Sequence, residues 1–123
     1  MRQIPLIVAC LLLVGCNEKP TDELLEQLRD KDSAQRLRAV KALGEKRSDA
    51  DKVVPALAQV LKDNDAFVRR YAARSLGQFG SAASSEIPAL QVAARDRNHH
   101  VRQAATEALR KVAPDLSTSA ERR

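Results

Sequence analysis

The sequence predicts an all-α fold, a short α-solenoid of three helical hairpins with six helices, and three observations carry that prediction. Laid over itself at an offset of 33 residues, the chain aligns Asp30 with Asp63 and Asp96, Arg36 with Arg69 and Arg102, Ala39 with Ala72 and Ala105, and Leu43 with Leu76 and Leu109. The same offset aligns Leu24, Leu57 and Leu90 and lays Val54, Pro55, Ala56 and Leu57 on Ile87, Pro88, Ala89 and Leu90, so each unit includes the segment ahead of the Asp/Arg signature. Within a unit, apolar residues recur three and four positions apart, the period of one helix face. Helices this short are marginal alone in water, and about three stacked hairpins are needed before they share a core.

Taken in order, the chain opens with one cation, Arg2, and an apolar run over residues 4–14 that ends at Gly15 and Cys16. The run has 11 residues, against the roughly 20 that a membrane-spanning helix needs, so residues 1–15 read as a signal peptide. Its end, Leu13, Val14, Gly15 and Cys16, resembles the lipobox of bacterial lipoproteins. That resemblance implies cleavage before Cys16, a diacylglyceryl thioether on its sulfur and a further acyl chain such as palmitate on the freed amine. With each buried methylene contributing about 0.8 kcal/mol, two or three chains hold a protein to a membrane far more firmly than one. The alternative is an ordinary secretory leader in which Cys16 is incidental. Asn17 differs from the aspartate associated with inner-membrane retention, which favours a cell-envelope address on the periplasmic side of the outer membrane in a Gram-negative cell. Residues 16–20 are then the lipidated N-terminus and a tether reaching roughly 14 Å when extended.

What remains has room for one small domain. The formal charge of the whole chain is +5, the three aromatics Phe67, Tyr71 and Phe79 all sit in the middle unit, and the two cysteines are Cys10 and Cys16. So few aromatics leave little for stacking bases or lining a large ligand pocket, which disfavours nucleic acid and any small-molecule substrate. Cleavage before Cys16 would leave no second thiol for an intramolecular disulfide.

The repeat domain is expected over residues 21–113, in units of about 21–50, 51–83 and 84–113. In the first, helix A starts at Thr21, with Thr21 and Asp22 as candidate caps, and turns Leu24, Leu25 and Leu28 inward. Helix B starts at Ser33, buries Ala39, Val40 and Leu43, and ends near Gly44. In the second unit helix A covers about 51–62 with Pro55 in its first turn, where a missing N–H costs nothing. Helix B covers 65–78 and buries Val68, Ala72 and Leu76. The third has Ser84 or Ser85 as cap, Pro88 in the first turn of a helix reaching Arg95, and a B helix over 98–112 with Val101, Ala105 and Leu109 inward. A polar tail over 114–123 is expected to be disordered.

The signature Asp63, Asp65, Val68, Arg69, Ala72, Leu76 resembles the HEAT repeat, and more closely the short variety found in bilin lyases and bacterial scaffold proteins. Ankyrin shares the period, but its T-P-L-H-x-A is absent, as is the tetratricopeptide pattern. The resemblance implies a right-handed solenoid that binds another protein; by analogy with the bilin lyases it also offers an enzyme or enzyme subunit as the alternative, which the missing nucleophile and aromatic pocket disfavour. It also implies that Asp30, Asp63, Asp96, Arg36, Arg69 and Arg102 form a structural ladder in the A–B turns, satisfying backbone groups and linking neighbouring repeats. Unit one departs from the pattern, with Gln35 where Val68 and Val101 stand, which suggests a solvated capping repeat.

No catalytic residue set, metal site or cofactor is expected beyond the lipid on Cys16. His99 and His100 are adjacent, diverge by about 100° on a helix and cannot readily share an ion. The B helices are rich in cations, and the resemblance would place them on the concave surface, where Arg38, Lys41, Arg70 and Arg74 would make a basic binding face. The alternative is solvated cations complementing helix C-termini, as Lys46, Arg47, Arg110 and Lys111 would. A functional basic face would take an acidic protein segment, lipid phosphates or anionic polysaccharide. Ala104 and Ala108 offer a second expected surface, a smooth end that a partner could cover.

Overall fold

The computed structural model describes residues 18–116. The expected leader, the expected lipidation residue Cys16 and residues 117–123 lie outside the described residues. Six α-helices lie wholly within them: α1 (Thr21–Gln27), α2 (Ser33–Leu43), α3 (Ala50–Val60), α4 (Ala66–Gln78), α5 (Ile87–Ala93) and α6 (His99–Val112). Odd-numbered helices are the A helices and even-numbered ones the B helices of three successive hairpins. Each A helix packs on its own B helix, α4 packs on α2, and α6 packs on α4. One core results. Leu43, Leu57, Leu76 and Leu90 are fully buried in it, together with Val40, Val53, Val68 and Val101. The inward faces expected at Ala39, Ala72 and Ala105 are equally closed to solvent.

The short-range signals explain why the B helices begin where they do. In all three turns the first acidic residue of the signature accepts the amide of the third: Asp30 from Asp32 at 2.8 Å, Asp63 from Asp65 at 2.9 Å and Asp96 from Asn98 at 2.8 Å. The third residue then caps the helix. Asp32 accepts from Ala34 N, Asp65 from Phe67 N and Val68 N, and Asn98 from His100 N and Val101 N. These side chains satisfy first-turn amides that have no partner within the helix.

The A helices begin differently from the sequence expectation. Thr21 does not cap α1; its hydroxyl donates to Asp49 across the hairpin, and the cap position falls on Pro20. Before α3 and α5 the chain already coils as 3₁₀ helix, over Arg47–Asp49 and Gly80–Glu86. A preceding 3₁₀ run offers its own carbonyls to the first amides, so no side-chain cap forms at Asp49 or Glu86, and neither Ser84 nor Ser85 acts as one. Pro88 sits at the start of α5 as expected, whereas Pro55 lies inside α3 rather than in its first turn. Pro55 and Asp51 are both exposed, so the carbonyl that loses its amide partner can be hydrated. Gly80, at φ 56°, makes the turn out of α4 that L side chains resist.

Two further expectations are corrected. Residues 114–116 are helical, so disorder does not begin at 114. Ala104 and Ala108 are buried, at 4% and 2% exposure, because α6 is laid against α4 so closely that a Cβ on Gly77 would stand 3.1 Å from the Ala108 Cα. They form no free end.

Candidate binding groove between the B helices

The Asp/Arg ladder forms as the signature implies, and it is what fixes the spacing of the hairpins. Arg36 reaches from the first repeat to the second, donating through Nε to Asp63 at 2.8 Å and through Nη2 at 3.0 Å, while its Nη1 donates to the carbonyls of Asp30 and Lys31. Arg69 repeats the pattern on Asp96 at 3.0 and 3.2 Å, with Nη1 on the carbonyls of Asp63 and Asn64. Each guanidinium thus closes its own turn with one edge and grips the next repeat with the other, a planar fork that Lys could not reproduce. The hydrogen bonds that Arg36 donates to Asp63 raise its pKa further, against the opposing pull of burial. For Asp96, burial pushes the carboxyl up, and the Asn98 amide and the Arg69 guanidinium outweigh it, so its pKa lies below the ordinary value. Arg102 keeps half of this arrangement: Nη1 bonds the carbonyls of Asp96 and Arg97, and its fork meets no carboxylate among the described residues.

The four cations expected to form one basic face stand in different surroundings, with Arg74 common to two of them. Lys41 lies over the Tyr71 ring, 4.4 Å from its centroid, and Arg74 approaches the same ring at 5.3 Å. Arg38 is exposed on α2. Arg70 and Arg74 instead belong to a groove of about 290 Å³ between α4 and α6. Its floor is small, made by Gly77, Ala104 and Ala108, and Gln78, Gln103 and Glu107 complete its sides. Two residues that the sequence assigned to helix ends join it: His100 from the first turn of α6, and Lys111 from the last. Arg70, Arg74 and Lys111 have no carboxylate partner among the described residues. At the His100 end the groove runs on into a smaller hollow edged by Phe67, which is 64% exposed.

The repeat register sets which side chain stands at this groove and at the equivalent place one junction earlier. Positions 38, 71 and 104 are equivalent under the 33-residue offset and carry Arg, Tyr and Ala. Between α2 and α4 the residue is Tyr71, whose ring lies under Lys41. Between α4 and α6 it is Ala104, whose methyl is part of the groove floor. No group of three or more His, Cys, Asp or Glu among the described residues could hold a metal, and no described helix is long and apolar enough to cross a membrane.

Compared with known proteins, the family described as HEAT repeats matches residues 21–110. Among solved structures the chain is similar to the complex of CpcE and CpcF of phycocyanin lyase from Nostoc sp. PCC7120, with a TM-score of 0.70 at 27% identity. The likeness covers 81% of this chain and 41% of that one, so the chain spans less than half of that protein's length. No curated protein matches.

Proposed function

This chain belongs to the HEAT-repeat family, and from that premise we propose that it is a lipid-anchored, non-catalytic adaptor of the cell envelope that binds another protein through its B-helix face. The observation that supports the reading is the groove between α4 and α6, where Arg70, Arg74 and Lys111 stand without carboxylate partners among the described residues, above a floor of small residues. Cations left unpaired on a rigid scaffold favour an acidic partner, through long-range attraction and charge-assisted hydrogen bonds on contact. Anchoring rests on the lipobox-like end of the leader at Cys16. The tether adds a geometric element: Glu18 pairs with Lys46 at 3.3 Å and Lys19 with Glu23 at 3.2 Å, so an anchor at Cys16 would hold the first repeat close to the headgroups.

The test is site-specific photocrosslinking in living cells, with the crosslinker at Arg70 on the B face or at Gln59 on the A face. The reading predicts a protein adduct from position 70 and none from 59. Adducts from neither, or from 59 alone, would remove the adaptor role. Mass spectrometry of the mature protein tests the anchor separately, through a lipid mass on Cys16.

The likeness to a phycocyanin lyase complex favours a second reading, an enzyme or enzyme subunit of the bilin-lyase kind. Turnover of a tetrapyrrole by the purified chain, alone or with a partner, would establish it.

A further inference from the structure

We propose that the α4–α6 groove is a receptor site for a short acidic peptide segment of the partner, with an apolar residue beside its carboxylates. The inference rests on the adaptor reading above and specifies its ligand. Three features of the groove define that ligand.

The first is charge. Arg70 and Arg74 are one turn apart on α4, and Lys111 faces them from α6. All three are without carboxylate partners among the described residues, although Glu107 lies in the same groove. Two guanidinium groups on one side suit a pair of carboxylates that each accept a fork of hydrogen bonds, and the ammonium opposite suits a third as a point charge. The second is shape. A floor of Gly77, Ala104 and Ala108 presents no long side chain, so a peptide backbone can descend between the cationic walls and let its carboxylates reach them from below. Headgroups on a flat membrane plane would meet the exposed Arg74 and Lys111 but not the small floor between them, so the concave floor favours a peptide over a bilayer. The third is the exposed Phe67 where the groove opens past Arg70 and His100. A solvent-facing aromatic at the mouth of a charged site is the kind of anchor that adds affinity to a short peptide through an apolar neighbour.

Position 104 controls access. Tyr71 shows what an aromatic does at the equivalent place in the preceding junction, so Ala104→Tyr should fill the groove while leaving every cation in the chain.

The experiment measures fluorescence anisotropy of a labelled peptide with one Phe followed by six Glu, against the full chain in detergent, beside a Phe-Gln₆ control and vesicles of pure phosphatidylglycerol. The expected result is salt-sensitive binding of the Glu peptide and none of the Gln peptide, with roughly tenfold or greater weakening in both Ala104→Tyr and Arg74→Gln/Lys111→Gln. Phe67→Ser should weaken it less. Circular dichroism melting confirms that each variant is folded, and the Arg74/Lys111 pair serves if Ala104→Tyr is not. Undiminished peptide binding by folded Ala104→Tyr, or no binding by the wild type, overturns the proposal. So does vesicle binding that survives Ala104→Tyr without peptide binding, which would assign the cations to anionic lipid. Failure here is distinguishable from failure of the adaptor role: a crosslinked partner at Arg70 that persists in Ala104→Tyr keeps the adaptor and removes the acidic-peptide site.

Discussion

The two junctions between successive repeats are built alike at one edge and oppositely at the other. Both carry the Arg-to-Asp fork, Arg36 on Asp63 and Arg69 on Asp96, and both bring the B helices together at a glycine, Gly44 and Gly77. Across the B-helix face they part: the first junction carries Tyr71 with Lys41 over its ring, and the second carries Ala104 in the floor of the groove. The lesson is that the ladder edge sets the geometry of the stack and the B face is free to vary. A site can be opened by one small residue without disturbing the contacts that hold the repeats in register.

The largest expected effect comes from breaking the shared part. Arg69→Ala removes a buried fork, with its side chain 6% and that of Asp96 12% exposed, and strands the carboxylate; it should cost about 3–5 kcal/mol in urea unfolding. Arg102→Ala, which loses only bonds to backbone carbonyls, should cost about 1 kcal/mol. Equal losses would mean that the inter-repeat half of the ladder contributes nothing.

Next is the close approach. A Cβ on Gly44 would meet the Ser75 Oγ at 2.7 Å, and Ser75 is buried with its hydroxyl donating to the Val40 carbonyl. Gly44→Ala should therefore destabilise by about 1–3 kcal/mol. At Gly77 the nearest atom is 3.1 Å away and the position is inside a helix, so a helix-propensity gain of about 1 kcal/mol offsets most of the strain in Gly77→Ala. The same position in the third repeat is Arg110, exposed. Thr106 is likewise exposed where the buried Val40 and Ala73 stand in the first two repeats. That surface of the third repeat therefore differs in size and polarity from the two junction surfaces before it.

The sequence carried the fold well because the 33-residue register is a direct imprint of stacking: a contact that must recur at each junction leaves identical residues at each recurrence. It carried the groove poorly. Reading cations along each B helix grouped Arg38, Lys41, Arg70 and Arg74 together, when cavity shape is decided between helices by the residue opposite. The signal was present at Arg38, Tyr71 and Ala104 and appears only when the repeats are compared by size rather than charge. The starts of α3 and α5 are hidden in the sequence for another reason, since 3₁₀ coils supply first-turn partners from backbone alone and leave no capping residue to recognise.

A smaller effect is pH-dependent and belongs to the second junction. The Asp96 carboxyl is held below its ordinary value in the folded protein, so its contribution is complete above the unfolded value of about 3.9 and disappears as pH falls through the lower folded value. Acid unfolding of the wild type should therefore be steeper below about pH 4 than that of Asp96→Asn, which lacks the contribution at every pH. Parallel acid profiles would remove Asp96 as a source. Smallest of all, Lys41→Ala should cost under about 1 kcal/mol, the scale of an exposed cation–π contact, and should leave peptide binding in the other junction unchanged.

The most direct measurement places a photocrosslinker at Gln103, beside the open groove, or at Arg38, beside the filled one, in the full-length chain in cells. The account predicts a partner adduct at 103, none at 38, and loss of the 103 adduct when Ala104→Tyr is added. An adduct of equal yield at 38, or one at 103 that Ala104→Tyr leaves intact, would contradict it.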